Sequence, residues 1–432
     1  MLRHTSVFAA ASLALAGTML SFQPAPAQAE PTIAVKDVVL TVGSKSSQRN
    51  LTWLGGVGVE DYVQLVQHKK GKTLSWTSAK LIRPFSAGAA GEETGWEYNK
   101  VALTKLKVGV TYSYRICTAT ACADEHQFKT AKAGNFSFLV YGDPQVYLGT
   151  KTGQNGVVEN PSAGWAATLS ESVGKVSNAA FLMTAGDNVD SYTISKQPGE
   201  WDAFLAPSQV STYPMAPAVG NHDNASNGGY LFNQHFALPN VSNLGTTAAG
   251  TGDYWYTYNG VLFMTLNTNS LDFAAHTTFM KQAIKANPRA TWRVVTLHHA
   301  PFSSADHPND ADVTAIRTTL TPAFSALKVN LVIGGHDHDY TRSYLMNGAS
   351  IASADADGAL KPKRGQVLYL ATNSASGGKF YDLTGPYPWA AVKDQSLKAN
   401  YTAIEVKAKN LIATTYEVGG RVIDRVDLTR AH

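Results

Sequence analysis

Long hydrophobic runs, cysteine and clustered charge are what this chain has least of. Only 16% of its 432 residues are charged, the net charge is +4, and no run of Lys or Arg stands out. So mild a basic balance gives no ground for a nucleic-acid partner. No stretch offers the roughly 20 clearly apolar residues that cross a bilayer. The one apolar segment, Ser6 to Phe22, is softened by Ser, Thr and Gly and followed by Pro24 and Pro26. With Arg3 ahead of it and Ala27-Gln28-Ala29 behind, residues 1–29 are expected to be a cleaved export signal. The mature protein is then periplasmic or secreted, with no membrane partner.

The two cysteines, Cys117 and Cys122, sit where strand-like residues close on a short turn. In an oxidising compartment the pair is expected to form a hairpin disulfide. A zinc pair would need a second ligand pair that is not nearby, and two free buried thiols are the remaining alternative.

What the chain does have is length and glycine. At 432 residues with 36 glycines it exceeds the size at which one core keeps growing, so a large domain and a smaller one are expected. Residues 30–132 read as β structure only: Val35–Val42, Gln48–Leu54, Tyr62–Gln67, Tyr98–Leu103, Val110–Cys117 and Gln127–Thr130, with turns rich in Gly, Ser and Lys. Short strands at this spacing read as a sandwich. Ala131–Asn135 is the expected boundary, and residues 133–432 the second domain. There strands alternate with helical stripes, Trp165, Leu169, Val173 and Val176, then Val313, Ile316, Leu320, Phe324 and Leu327. That alternation argues an α/β arrangement with working residues beyond the strand ends. The closing stretch, Tyr401–Val406, Leu411–Glu417 and Arg421–Leu428, returns to strand alternation.

Five apolar runs in this second region stop abruptly at ligand-type residues. They end at Gly142-Asp143-Pro144-Gln145, Gly186-Asp187-Asn188, Gly220-Asn221-His222-Asp223, His298-His299 and Gly335-His336-Asp337-His338. A lone Gly-Asp or Gly-Asn-His is usually a turn or a cap. Five in succession imply one site on the edge of a sheet, with the donors a pair of divalent ions needs. Hydrolysis of a phosphate ester asks for hydroxide at neutral pH and for positive charge on the phosphoryl oxygens, and two metals supply both.

Together with His299-Ala300-Pro301, these segments resemble the ordered motif set of calcineurin-like metallophosphoesterases. The β module and Tyr254-Trp255-Tyr256-Thr257-Tyr258 are similar to the purple acid phosphatase branch, whose N-terminal module is of fibronectin type. The resemblance spans nearly the whole mature chain. It implies a two-sheet sandwich flanked by helices, preceded by an all-β fibronectin/Ig-like sandwich, with two metal ions, Fe, Mn or Zn. It makes Asp187 the bridging carboxylate, Asp143 and His338 ligands of the first metal, and Asn221, His299 and His336 ligands of the second. His222, followed by Asp223, would orient phosphate and protonate the leaving oxygen.

Two positions depart from the family pattern. Gln145 stands where many relatives have histidine and would coordinate through oxygen or support from outside. Asp190 stands where purple acid phosphatases have a tyrosine, and is either a ligand or a helix cap. Tyr192 is out of register. His298 is expected to face away from the site, because strand residues alternate. His307 would touch substrate or solvent, Asp337 and Asp339 would orient the neighbouring imidazoles, and Arg342 would reach phosphate. His235 and His276 belong to no constellation, and the loop Thr372–Gly378 would line the site mouth or make a plain turn. The expected activity is hydrolysis of small phosphomonoesters. A phosphodiesterase or organophosphate hydrolase on the same metals is the alternative, and a silent metal-binding protein is a third reading.

Overall fold

The computed structural model of the protein describes residues 33–152, 158–225, 229–244 and 252–430. The expected signal, residues 1–29, lies outside them. Among the described residues no helix is long and apolar enough to cross a membrane.

The N-terminal strands fall close to where the alternation places them, at Val35–Val42, Arg49–Gly56, Tyr62–Gln67, Trp96–Leu103, Thr111–Cys117 and His126–Lys129. Two more, Lys80–Ile82 and Ser86–Ala89, have no sequence signal: one is short and the other is all small residues. Four of the strands make one sheet, in the order Lys80–Ile82, Tyr62–Gln67, Thr111–Cys117, His126–Lys129. Its inner face carries Tyr112, Tyr114 and Ile116, alternate residues of one strand, against Leu40, Leu51, Trp53 and Val101 of the opposite strands. The result is a β-sandwich. Cys117 and Cys122 are disulfide-bonded, with Cα atoms 4.0 Å apart.

The opposite face of that sandwich does not end at the module. Val35–Val42 pairs in parallel with Met215–Pro217, Thr41 opposite Met215, so N-terminal strands and strands of the following region share one sheet of 11 described strands. At its centre Phe136–Tyr141, Leu182–Thr184 and Met215–Pro217 run parallel. A second sheet of seven strands has Val261–Thr265, Trp292–His299, Leu331–Gly335 and Leu368–Ala371 parallel in that order. Strands buried on both faces must be apolar throughout. The facing surfaces meet in an aromatic-rich core that includes Phe138, Phe181, Tyr256 and Phe263.

Helices cover the outer faces. Pro161–Lys175 starts with Asn160 accepting from the Ala163 amide at 3.1 Å and proline at its first position, both favourable there. Trp165 and Leu169 from this helix pack on the first sheet with Trp201 and Phe204 of Gln197–Leu205. On the second sheet, Phe273–Ala286 contributes Phe279 and Met280, and Ala311–Ala326 contributes Ile316, Leu320 and Phe324. The protein is thus the expected α/β sandwich of two sheets between helices, with β-sandwich structure ahead of it. The carboxyl ends of both sets of parallel strands point to one edge.

Candidate metal centre

The backbone at that edge is unusual. Asp143, Gln145, Asp187, His336 and His338 all have positive φ, from 35° to 75°. This region is costly for residues with a side chain, and such outliers cluster at functional sites. The conformation lets each strand end in a sharp turn that throws its polar side chain back over the sheet edge. Close approach is needed as well: a Cβ on Gly335 would lie 2.4 Å from Asp143 Oδ2, and one on Gly220 2.0 Å from Asp187 Oδ1.

Two groups of donors form there. Asp143, Asp187 and His338 each place a ligand atom within 4.8 Å of the others, and so do His298, His299 and His336. Asp187 reaches both. Its Oδ1 lies 3.3 Å from His298 Nε2 and accepts the His222 amide at 2.9 Å, while Oδ2 accepts from Gln145 Nε2 at 3.2 Å. Asp143 accepts the His336 amide at 2.9 and 3.0 Å, so the fifth strand end locks the first.

His298 corrects the alternation argument. Pairing between Trp292–His299 and Leu331–Gly335 runs Thr296 to Ile333 and then His299 to Gly335, one residue too many on the histidine strand. A bulge of this kind breaks the two-residue period, so both histidines turn to the site. His298 Nδ1 donates to the Ala185 carbonyl at 2.9 Å, and Nε2 lies 2.7 Å from Asn221 Oδ1 and 3.2 Å from His336 Nδ1. His299 pairs instead with Thr268 Oγ1 through Nδ1 at 2.8 Å, and its Nε2 is 3.8 Å from Asp312 Oδ2.

The electrostatics call for cations. Burial disfavours the charged form of Asp143 and, with Asp187 beside it, pushes its carboxyl up to about 8 despite His298. Burial also opposes ionisation of Asp187, but His298, His222 and His336 overcome it and hold that carboxyl well below the usual range. For His298 burial is likewise outweighed, here by Asp187 and Asp143, which push the ring up to about 9. With its Nδ1 hydrogen given to Ala185, Nε2 converges with two oxygens and another ring nitrogen, a setting that favours positive charge among them. His338 is held neutral, down to about 3, by burial and by Lys379. Gln145 Oε1 is buried and has no hydrogen-bond partner, an orphan acceptor of the kind a cation satisfies. Oxygen donors on one side and imidazoles on the other fit divalent metal ions.

Several expected residues are placed elsewhere. The Asp190 carboxylate pairs with Lys151; only its main-chain oxygen meets the site, at His222 Nδ1. Asp223, expected to act beside His222, is fully buried. It is occupied by the amides of Gly220 (2.8 Å), Asn188 (2.9 Å) and Val189 (3.2 Å) and by Asn188 Nδ2 (2.9 Å), so it ties two strand-end loops together instead of meeting a substrate. Asp337 holds the amides of Ala305, Asp306 and His307 at 2.7–2.8 Å rather than an imidazole. Asp339 accepts from Thr341 Oγ1 at 2.5 Å. Arg342 is buried against Asp424, Nε to Oδ2 at 2.6 Å, and is not among the residues that line the cavity over the donors.

A cavity of ≈ 230 Å³ lies over the donors, and His222, His299 and His307 line it. His307 stacks on His336, ring centres 4.2 Å apart, with Nδ1 on Asp310 Oδ2 at 2.8 Å. The wall also includes Tyr192, Lys379 and Tyr381. Tyr192 is bonded to the Asn221 amide nitrogen and packs 4.2 Å from the His222 ring. Lys379 follows the small-residue loop Thr372–Gly378, none of whose own residues lines the cavity, and the Lys379 carbonyl accepts from His338 Nδ1 at 3.0 Å. Neither Lys379 nor Tyr381 carries a signal in the sequence beyond its place after that loop.

Residues 136–340, which contain every strand-end motif, match the family model for calcineurin-like phosphoesterases. The chain carries a calcineurin-like phosphoesterase domain. Two Mycobacterium tuberculosis proteins, uncharacterized protein MT2654 and uncharacterized protein Rv2577, are each 25% identical over 287 residues, 60% of this chain and 53% of theirs. The chain therefore spans about half the length of the curated relatives it matches. Among solved structures, purple acid phosphatase PPD1 from yellow lupin (Lupinus luteus) seeds superposes with a TM-score of 0.73 at 15% identity, over 93% of this chain and 75% of that one. PhoD superposes at 0.58 with 10% identity, over 90% and 91%. At these identities the likeness is one of fold, and the phosphoesterase domain with its β-rich N-terminal region shares it across nearly its full length.

Proposed function

We propose that the protein is an exported phosphatase that hydrolyses small phosphomonoesters with two divalent metal ions, Fe, Mn or Zn. The observation that carries this reading is Asp187, which belongs to the group with Asp143 and His338 and whose Oδ1 also lies 3.3 Å from His298 Nε2 of the other group. Asp143, His338 and the orphaned oxygen of Gln145 would hold the first ion, and Asn221, His298 and His336 the second, with His299 beside them. When bound, such ions supply the positive charge and the activated water that phosphoester hydrolysis needs.

The protein's own groups do the rest. His222, its Nδ1 committed to the Asp190 carbonyl, has Nε2 3.7 Å from Asp187 Oδ2 and lines the cavity, where it can pass a proton to the leaving oxygen. His307 and Tyr381 also line the cavity and would bind the ester. Lys379 adds an ammonium to the wall; burial opposes that charge, but Tyr381, Asp187 and Asp190 raise its pKa. A fixed positive charge beyond the metals suits a dianionic monoester better than a monoanionic diester. Residues 30–132, a module of fibronectin type in this reading, support the sheet rather than the chemistry, and residues 133–432 form the catalytic domain. Export rests on the Ala27-Gln28-Ala29 signal and accords with the Cys117–Cys122 disulfide.

The test is turnover by chelated protein re-loaded separately with Mn, Zn and Fe, on an aryl phosphomonoester and the matching diester. Monoester cleavage well above diester with one metal is the expected result. Preference for the diester would move the substrate class to phosphodiesters. Bound metal with neither activity would remove the enzyme reading for these substrates and favour a metal-binding protein.

A further inference from the structure

Remote from the phosphoesterase motifs, Asp37, Glu93 and His235 also place one donor atom each within 4.8 Å of one another. Asp37 sits at a register shift in the first strand, between Lys36 and Val39, with φ of 53°. Glu93 lies in the turn before Trp96–Leu103, its amide on the Ala90 carbonyl at 2.9 Å. His235 ends the helix Tyr230–His235. The three thus join the N-terminal strands to a helix that follows the Gly220-Asn221-His222 loop.

All three side chains are almost fully buried, 5%, 3% and 1% exposed respectively. His235 Nδ1 is 3.7 Å from Asp37 Oδ2, and Nε2 is 3.8 Å from Glu93 Oε1. These separations are too long for hydrogen bonds, and all four atoms lack any hydrogen-bond partner. Buried polar atoms are rarely left so, and a ring nitrogen facing a carboxylate oxygen across such a gap on either side of the imidazole marks a missing partner. The neighbouring cations do not supply it. Lys36 Nζ is committed to the other Glu93 oxygen and to Asp202 Oδ1 at 2.7 Å. Lys100 Nζ is committed to the carbonyls of Asn233 and Phe236. Burial, with Lys36 and Lys100 near, pushes His235 down to about 3, so it presents a neutral imidazole, the form that ligates metals. A surface cavity of ≈ 460 Å³ lined by Lys36, Asp37 and Asp202 reaches Asp37, one of the three.

We propose that Asp37, Glu93 and His235 hold a divalent cation of their own, structural rather than catalytic, that clamps the N-terminal sandwich to the phosphoesterase domain. Two carboxylates and one imidazole suit Zn²⁺ or Mn²⁺, and such an ion would take one donor atom from each residue, a single ring nitrogen of His235 with one oxygen each from Asp37 and Glu93. The site is independent of the phosphatase reading.

Full-length protein is stripped with chelator, dialysed against Zn²⁺ and then against buffer, and its zinc is counted. His235→Gln and Glu93→Gln should each hold one ion per chain fewer than wild type, with turnover unchanged. The same difference of one ion should separate Asp187→Asn from the Asp187→Asn/His235→Gln double variant, whatever the phosphoesterase site does. Zn²⁺ should raise the unfolding temperature of Asp187→Asn by more than that of the double variant. Equal zinc content across either pair would overturn the proposal. Should His235→Gln fail to fold, the count for the near-isosteric Glu93→Gln decides in the same way.

Discussion

Replacing Gly220 by alanine tests the centre through a single methyl group. At Gly220 φ is −94° and ψ −179°, extended backbone open to any residue, so the effect of alanine is steric alone. The added Cβ would lie 2.0 Å from Asp187 Oδ1 and 2.2 Å from the Asp187 amide nitrogen, where carbon contacts under 3.0 Å essentially never occur. The Asp187 carboxylate or the Gly220 backbone must therefore yield by about 1 Å. Asp187 is also wedged by His298 and Gln145 and has little room to comply. Overpacking of this kind costs about 1–3 kcal/mol of stability, and a misplacement of about 1 Å at a reacting centre costs on the order of 100-fold in rate, or about 2.7 kcal/mol of barrier. The assay is kcat/KM for an aryl phosphomonoester with metal content measured on the same samples, corrected for the folded fraction from thermal unfolding. Folded Gly220→Ala protein with kcat/KM within about threefold of wild type and full metal content would refute the argument that Asp187 links the two donor groups.

Other substitutions separate roles that the sequence alone confuses. His298→Ala should abolish metal-dependent turnover, whereas His299→Ala, which loses a contact to Thr268, should cost about 10–100-fold; comparable losses would undo the assignment by the bulge. Arg342→Met removes the cation paired with Asp424 and leaves it only the Tyr340 hydroxyl at 2.8 Å; it should destabilise by about 3 kcal/mol, with activity per folded molecule unchanged in a turnover assay scaled by circular dichroism. A fall in kcat at full folding would return Arg342 to the site. The Cys117→Ser/Cys122→Ser pair opens a loop of sequence separation 5, for which chain entropy gives about 2 kcal/mol. Urea unfolding should show a loss of that size and no change in KM.

Much of the site was legible because each strand end is local. An apolar run, a glycine and a donor lie within a few residues, and so Asp143, Asp187, Asn221, His222, His336 and His338 could be named from the chain. The same locality put Gln145 and the loop before Lys379 under notice. Where the period itself was the argument it failed. Alternation places His298 on the far face, and the extra residue between Thr296 and His299 reverses that. A bulge depends on what the partner strand pairs with, and a single segment does not carry that information. Asp223 misled for a related reason: next to His222 in sequence, it turns back to hold Asn188, a residue remote in the chain.

The sequence by itself determined the elements and the donor types, because hydrophobic period and turn chemistry act over a few residues. Alternating strands before Ala131, buried parallel strands and amphipathic helices after it, and the ligand-bearing loops all follow from that. Tertiary structure alone decided which donors meet, and how. It joined Thr41 to Met215 so that one sheet runs through both regions. It brought Tyr192, Lys379 and Tyr381 to the cavity wall and drew Asp190 away to Lys151. It also buried Asp37, Glu93 and His235 together from three separate parts of the chain. Such contacts arise from sheet pairing and close packing between distant segments, where free energy depends on the whole arrangement and no short stretch of residues specifies it.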